Sequence, residues 1–281
     1  MQVHSDMVRT VAFVNIRQLD GQLLPKGTAF FTGHLDRKTA KFRLYVVTAK
    51  HVLDMIKERT AADTVVLTFN GKGGKEEREF PLSAWHFHPG WDGEVVDVAV
   101  ARFDYQLPDL RRPHATNPNE IRCWMPENIF TVSVSSRAHI LPGHEVGLAG
   151  LFVHHQGSEK NIPIVRVGNI AALPQEPIRT KMGLMSAFLV EVRSLGGLSG
   201  SPVFATGSDS RIGLIGLVHG HFDQRSSDPD GVSEDANSAF QEERINAGIA
   251  IVVPADRIRE TLRPLVDEDF GLSVASADVH R

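Results

Sequence analysis

Residues 195–204 read LGGLSGSPVF: a serine set between glycines, then Gly-Ser-Pro, then the start of an apolar run. Gly197 can take backbone angles closed to other residues and so turn the chain, Gly200 leaves room beside the serine, and Pro202 stiffens the exit into a strand. Such a turn can serve only to reverse the chain. It can also present the Ser199 hydroxyl beside the N–H groups of Gly197 and Ser199, where a developing oxyanion would sit. The rest of the chain decides between the two.

Outward from that turn, the dominant signal is a succession of short, β-branched-rich runs separated by Gly, Pro, Asn and Asp. VRTVAFVNI, GTAFFTG, RLYVVTA, TVVLTFN, DVAVARF, FTVSV, HEVGLAGLFV, PIVRVGNIAAL, AFLVEV, PVFA, RIGLIGLVHG and AGIAIVV are the candidate strands. Helical periodicity is confined to residues 51–61, 118–125 and 254–266. The expected fold class is all-β and mostly antiparallel, as barrels or a sandwich, with a short C-terminal helix. Three polar stretches, 70–79, 107–120 and 222–244, interrupt the pattern. The second predicts a link between two halves, the third a mobile surface loop, and residues 269–281 a flexible tail.

With 281 residues the chain can bury a sizeable core, and its net charge of −4, without a dense Lys/Arg run, argues against a nucleic-acid partner. Nowhere do eighteen uncharged apolar residues run together, so no membrane partner is expected. The N-terminal stretch lacks the layout of a signal peptide. The single cysteine, Cys123, cannot form an internal disulfide. That fits a reducing compartment, and the expected localisation is cytoplasmic.

A serine hydroxyl is a poor nucleophile at neutral pH, so Ser199 needs a base, an orienter for that base and oxyanion donors. In YVVTAKHVLD (45–54) an apolar strand delivers His51 at the start of a helical turn, anchored yet able to reach a cleft. In VVDVAVARF (95–103) Asp97 opens an alternating strand, where a buried carboxylate can accept the second ring N–H of His51. Ser201 competes with Ser199 as nucleophile, but it has Ser199 and Pro202 where the motif needs glycines.

The order TAxH, D-V-A-V and GxSGSP resembles the chymotrypsin-type (trypsin-like) serine proteases over most of the chain. GTAFFTG, RIGLIGLVHG and NAGIAIVVPADRI are similar to further strands of that family, the last to bacterial heat-shock proteases of the Deg type. The resemblance implies two six-stranded antiparallel β-barrels, one over residues 1–115 carrying His51 and Asp97, the other over 116–268 carrying Ser199 and a terminal helix. It implies a serine endopeptidase acting on a protein or peptide substrate through an acyl-enzyme, with Gly197 and Ser199 as the oxyanion hole and no cofactor. It also places His219, Gly220 and His221 along the substrate pocket, and Arg193 near its floor, suggesting an acidic or otherwise unusual residue before the cut; the equal alternative is that Arg193 simply ends the strand FLVEVR in solvent. Leu198 before the nucleophile, Val52 after His51 and the absence of disulfides point to the bacterial or intracellular branch.

The alternatives are a latent or inactive protease-fold binding or sensor module controlled by a regulatory protein partner, and an esterase with the same triad. HHQGS (154–158) and HGH (219–221) invite a metal reading, but no Cys or Glu sits at ligand spacing, so no metal is expected. DPDGVSEDAN lacks the spacing and distal glutamate of a calcium loop. His86 and His88 read as scaffold, with Trp85 and Trp91 as packing.

Overall fold

The computed structural model describes residues 5–60, 62–71, 73–90, 93–105, 121–132, 140–208, 210–225 and 244–272. A short helix, α1 (Ser5–Val8), precedes β1 (Val11–Arg17), β2 (Leu23–Asp36), β3 (Lys41–Thr48), helix α2 (Lys50–Arg59), β4 (Thr64–Gly71), β5 (Gly74–Pro81), β6 (His86–Phe87) and β7 (Ala99–Arg102). These strands form one antiparallel sheet in the order β5-β4-β1-β2-β3-β7-β6. Phe13, Phe30, Phe31 and Phe69 are fully buried within its curl, and Phe31 packs on Phe103 with ring centroids 4.8 Å apart.

The second half contains β8 (Glu145–Gly150), β9 (Ile164–Ala172), β10 (Ile178–Thr180), β11 (Gly183–Met185), β12 (Phe188–Glu191), β13 (Pro202–Thr206), β14 (Ile212–Arg225) and β15 (Arg244–Pro254). Six of them close into a barrel in the order β12-β15-β14-β13-β8-β9, and β10 pairs only with β11 as a separate hairpin. Phe130, Leu148, Phe188, Val190, Leu198 and Val203 fill that barrel.

The all-β architecture is the expected one, with a difference in the first half, where seven strands stand in place of a closed six-stranded barrel. Its edge strands β5 and β6 are joined by the short 3-10 turn Leu82–Ala84 but do not pair. Pro81 has no N–H to donate and β6 is two residues long, so too few backbone groups remain to carry the ladder round. Residues 70–79, expected as a polar loop, instead close a hairpin, with Phe69 opposite Glu76 and Leu67 opposite Arg78. Charge on an exposed edge strand hides its periodicity while protecting the edge from further pairing.

Of the helix expected over 118–125, Ile121–Met125 is extended: Trp124 N–H donates to the Phe31 carbonyl (2.9 Å) and its own carbonyl accepts from Gly33 (2.9 Å). Phe130 then bonds Leu214 (2.7 Å), so this stretch docks on β2 and then on β14. The strand expected over FTVSV is not formed in its described part, Phe130–Val132. Most of the expected link, the tip of the 222–244 loop, the DPDGVSEDAN stretch, Trp91 and the end of the tail lie outside the described residues. Helix α3 (Ala255–Phe270) closes the molecule by reaching back to the first half, where Asp269 accepts from Tyr45 Oη (2.8 Å) and Arg102 Nε (2.8 Å).

Candidate active site

Two consecutive four-residue turns shape the Ser199 loop. Leu198 N–H donates to the Leu195 carbonyl (3.1 Å), and Ser201 N–H donates to the Leu198 carbonyl (2.9 Å). The third residue of each turn is a glycine with positive φ, 96° at Gly197 and 84° at Gly200, the pattern of type II turns. A Cβ on Gly200 would also strike the Thr28 carbonyl oxygen. This is the physical content of the G-x-S-G spacing.

The loop is then fastened at three points. Gly200 N–H bonds Val218 of β14 (2.8 Å), and Thr28 N–H of β2 bonds the Ser199 carbonyl (2.9 Å). Thr28 Oγ1 donates to the Gly197 carbonyl (2.7 Å) and accepts from Leu151 N–H (2.9 Å). Leu198 anchors the loop from below, wholly inside the second barrel. The N–H groups of Gly197 and Ser199 have no hydrogen-bond partner among the described residues, which leaves two donors beside the Ser199 hydroxyl.

His51 sits in the first turn of α2, directly after β3. Its backbone N–H donates to Asp97 Oδ1 (2.8 Å) and its ring Nδ1 bonds Asp97 Oδ2 (2.7 Å). Asp97 is fully buried. Burial works against its charge, but hydrogen bonds from His219 and His51 outweigh that and hold the carboxyl well below the usual carboxylate range. Burial likewise lowers the basicity of His51, yet the Asp97 bond and charge, with Asp54 behind them, leave the ring more basic than a free histidine.

His219 was expected on the pocket wall, and it lines the cavity, but it also does something the spacing does not reveal. Its Nδ1 bonds the same Asp97 Oδ2 (2.5 Å), and the two imidazoles meet edge to face with centroids 5.2 Å apart. A bulge explains how. Val218 pairs with Val252 and Gly220 with Ile251, so His219 is the unpaired extra residue of β14, and the bulge re-aims its side chain across the seam. One carboxylate therefore fixes both rings with Nδ1 protonated and Nε2 turned outward. Ser199 Oγ donates to the His219 carbonyl (3.3 Å) rather than to His51.

These groups open on a cavity of about 640 Å³ lined by His51, Ser199, His219, Gly220 and His221, with Arg179 and Lys181 from the β10–β11 hairpin. Arg193 is exposed and is not among the lining residues; its neighbour Ser194 is. The positive charge comes from a different element. Ser201 is fully buried with its hydroxyl unbonded, so it has no access to substrate. His154 and His155 are exposed, and His88 pairs with Glu260 of α3 (3.1 Å). His51, Asp97 and His219 bring one ligand-type atom each within 4.8 Å of one another. A cation there would have to displace both ring protons from Asp97, since each Nδ1 is already engaged by its oxygen.

No family model and no curated protein sequence matches the chain. Among solved structures, the apo MamO protease domain from Magnetospirillum magneticum superposes with a TM-score of 0.51, covering 91% of this chain and 97% of that one at 14% identity. The fold is trypsin-like. A structure described as HBP covers 96% of the chain and 95% of its own length at 11% identity, with a TM-score of 0.49. At such identities the likeness establishes the trypsin-like scaffold alone, and the chemistry has to be argued from the side chains.

Proposed function

We propose that the chain is a serine endopeptidase. Ser199 Oγ attacks the substrate carbonyl carbon while its proton passes to His51 Nε2. The oxyanion is received by the N–H groups of Gly197 and Ser199. The C–N bond breaks as His51 returns the proton to the leaving amine, leaving an acyl-enzyme. Water, deprotonated by the same ring, then releases the acid. Asp97 holds the tautomer and offsets the charge of the imidazolium, and His219 keeps Asp97 in place.

The observation that carries this reading is the bond between His51 Nδ1 and the buried Asp97, in a cavity shared with a serine whose neighbouring amides have no partner among the described residues. Digesting a mixed peptide set and sequencing the products by mass spectrometry tests it. Wild type should cut at recurring sites that vanish with Ser199→Ala, and identical product sets would refute it. One contact favours a second reading, a latent module that a partner switches on: Ser199 Oγ rests on the His219 carbonyl and must rotate to reach His51. On that reading a partner is required before any product appears.

A further inference from the structure

The Ser199 cavity is bordered by a hairpin to which the catalytic scheme gives no task. β10 and β11 carry the sequence IRTKMGLM (178–185). At its tip Thr180 Oγ1 donates to the Gly183 carbonyl (2.9 Å) and accepts from Met182 N–H (3.1 Å), closing a tight turn. Its base is fastened to the other half of the molecule: Val95 N–H donates to the Leu184 carbonyl (2.8 Å), and Ser186 N–H donates to the Glu94 carboxylate (2.8 Å). A hairpin from the Ser199 half is thus pinned to the segment that leads into Asp97. Its position relative to the reacting atoms is set by these two hydrogen bonds.

Arg179 and Lys181 both come from this hairpin, both are exposed, and both line the cavity; no Asp or Glu is among its described lining residues. Arg179 has no ion-pair or hydrogen-bond partner among the described residues. Lys181 is itself engaged, and among the described residues the nearby carboxylates have other partners. Asp97 is buried behind His51 and His219, Glu94 accepts from Ser186, and Asp54 pairs with Lys50. In a chain of net charge −4, the described lining of this cavity carries two cations and no carboxylate. A guanidinium gains most from a carboxylate, which it can bind in a two-pronged fashion.

We propose that the cavity selects peptides with a carboxylate side chain close to the scissile bond, and that Arg179 determines this specificity. The proposal rests on the endopeptidase reading for its turnover but not for its binding. Its test uses peptides matched as Glu against Gln and Asp against Asn at each position near the cut. For wild type the acidic member should be favoured in kcat/KM by about 10- to 100-fold, the range that one or two charge-assisted hydrogen bonds supply. That ratio should fall towards one in Arg179→Ala and shift towards Lys-containing peptides in Arg179→Glu. A wild-type ratio near one, or a ratio unaltered in Arg179→Ala, overturns the proposal. Fluorophosphonate labelling of wild-type Ser199 reads the endopeptidase proposal separately. If nothing is cleaved or labelled, the selectivity is read from binding of the same peptides to Ser199→Ala. Tighter, salt-sensitive binding of the acidic members, lost in Ser199→Ala/Arg179→Ala, supports it, and equal binding of both members overturns it.

Discussion

Replacing Thr28 by Val tests how the two halves of the molecule hold the Ser199 loop. Valine has nearly the same shape, so the change removes one hydroxyl from a site with no solvent exposure. That hydroxyl is the only partner of the fully buried Leu151 N–H (2.9 Å) among the described residues and donates to the Gly197 carbonyl (2.7 Å). A buried polar group left unpaired costs about 1–3 kcal/mol. The Gly197 carbonyl belongs to a half-buried residue and falls at the lower end, so the pair together costs roughly 2–4 kcal/mol. Thr28→Ser keeps both bonds and loses one methyl, about 1 kcal/mol. Calorimetry or thermal circular dichroism on Ser199→Ala protein, which cannot digest itself, compares the two. The Val variant should melt below the Ser variant by about 3–10 °C at roughly 2–4 °C per kcal/mol for a chain of this size class. Equal melting points would refute the claim that this hydroxyl joins the Ser199 loop to the first half.

Asp97→Asn should lower kcat/KM by roughly 10³–10⁴-fold. Because Asp97 makes His51 more basic, the acid limb of the wild-type pH profile should have its midpoint above the ordinary histidine value of about 6.5, and the Asp97→Asn change should move it down; a midpoint that stays put contradicts the assignment. His219→Ala removes one of the bonds that depress Asp97. A carboxyl whose folded-state pKa is depressed contributes stability above its unfolded value, near 3.9, and loses it as pH falls through the folded value. Raising that folded value should therefore bring acid unfolding on at higher pH than in wild type, as followed by Trp fluorescence. Ser201→Ala deletes a buried hydroxyl that has no partner, so it should leave stability unchanged or raise it by up to about 1 kcal/mol in urea unfolding. A loss of about 2 kcal/mol or more would mean that the hydroxyl is bonded after all.

Where the sequence carried local chemistry it was readable. Gly197 announces a tight turn, and the apolar run before His51 marks a strand whose end is wholly buried; Gly200 reads only as room for substrate, whereas its positive φ shapes a second turn. Asp97 could be placed at the mouth of β7 because the apolar pattern after it is clean. What stayed hidden depends on tertiary context. The second bond to Asp97 requires the bulge at His219, which follows from how β14 meets β15 rather than from any residue type. The charged strand β5 lies on an edge, where one face needs no apolar residues, so its pattern reads as a loop. Arg193 could be assigned to the pocket only by analogy of position, and the cations that line it come instead from a short hairpin with little periodicity. The segment at Trp124 looked helical because isolated apolar spacing cannot register that its backbone groups are taken by β2.

The central claim is that Ser199 becomes nucleophilic because His51, held by Asp97, can take its proton. Labelling with a fluorophosphonate followed by peptide mapping measures this most directly. The phosphonyl group should be found on Ser199 of the wild-type protein, with a rate that falls as His51 is protonated and is lost in His51→Ala. An adduct on another serine, or labelling of Ser199 at the same rate when position 51 is Ala, would contradict it.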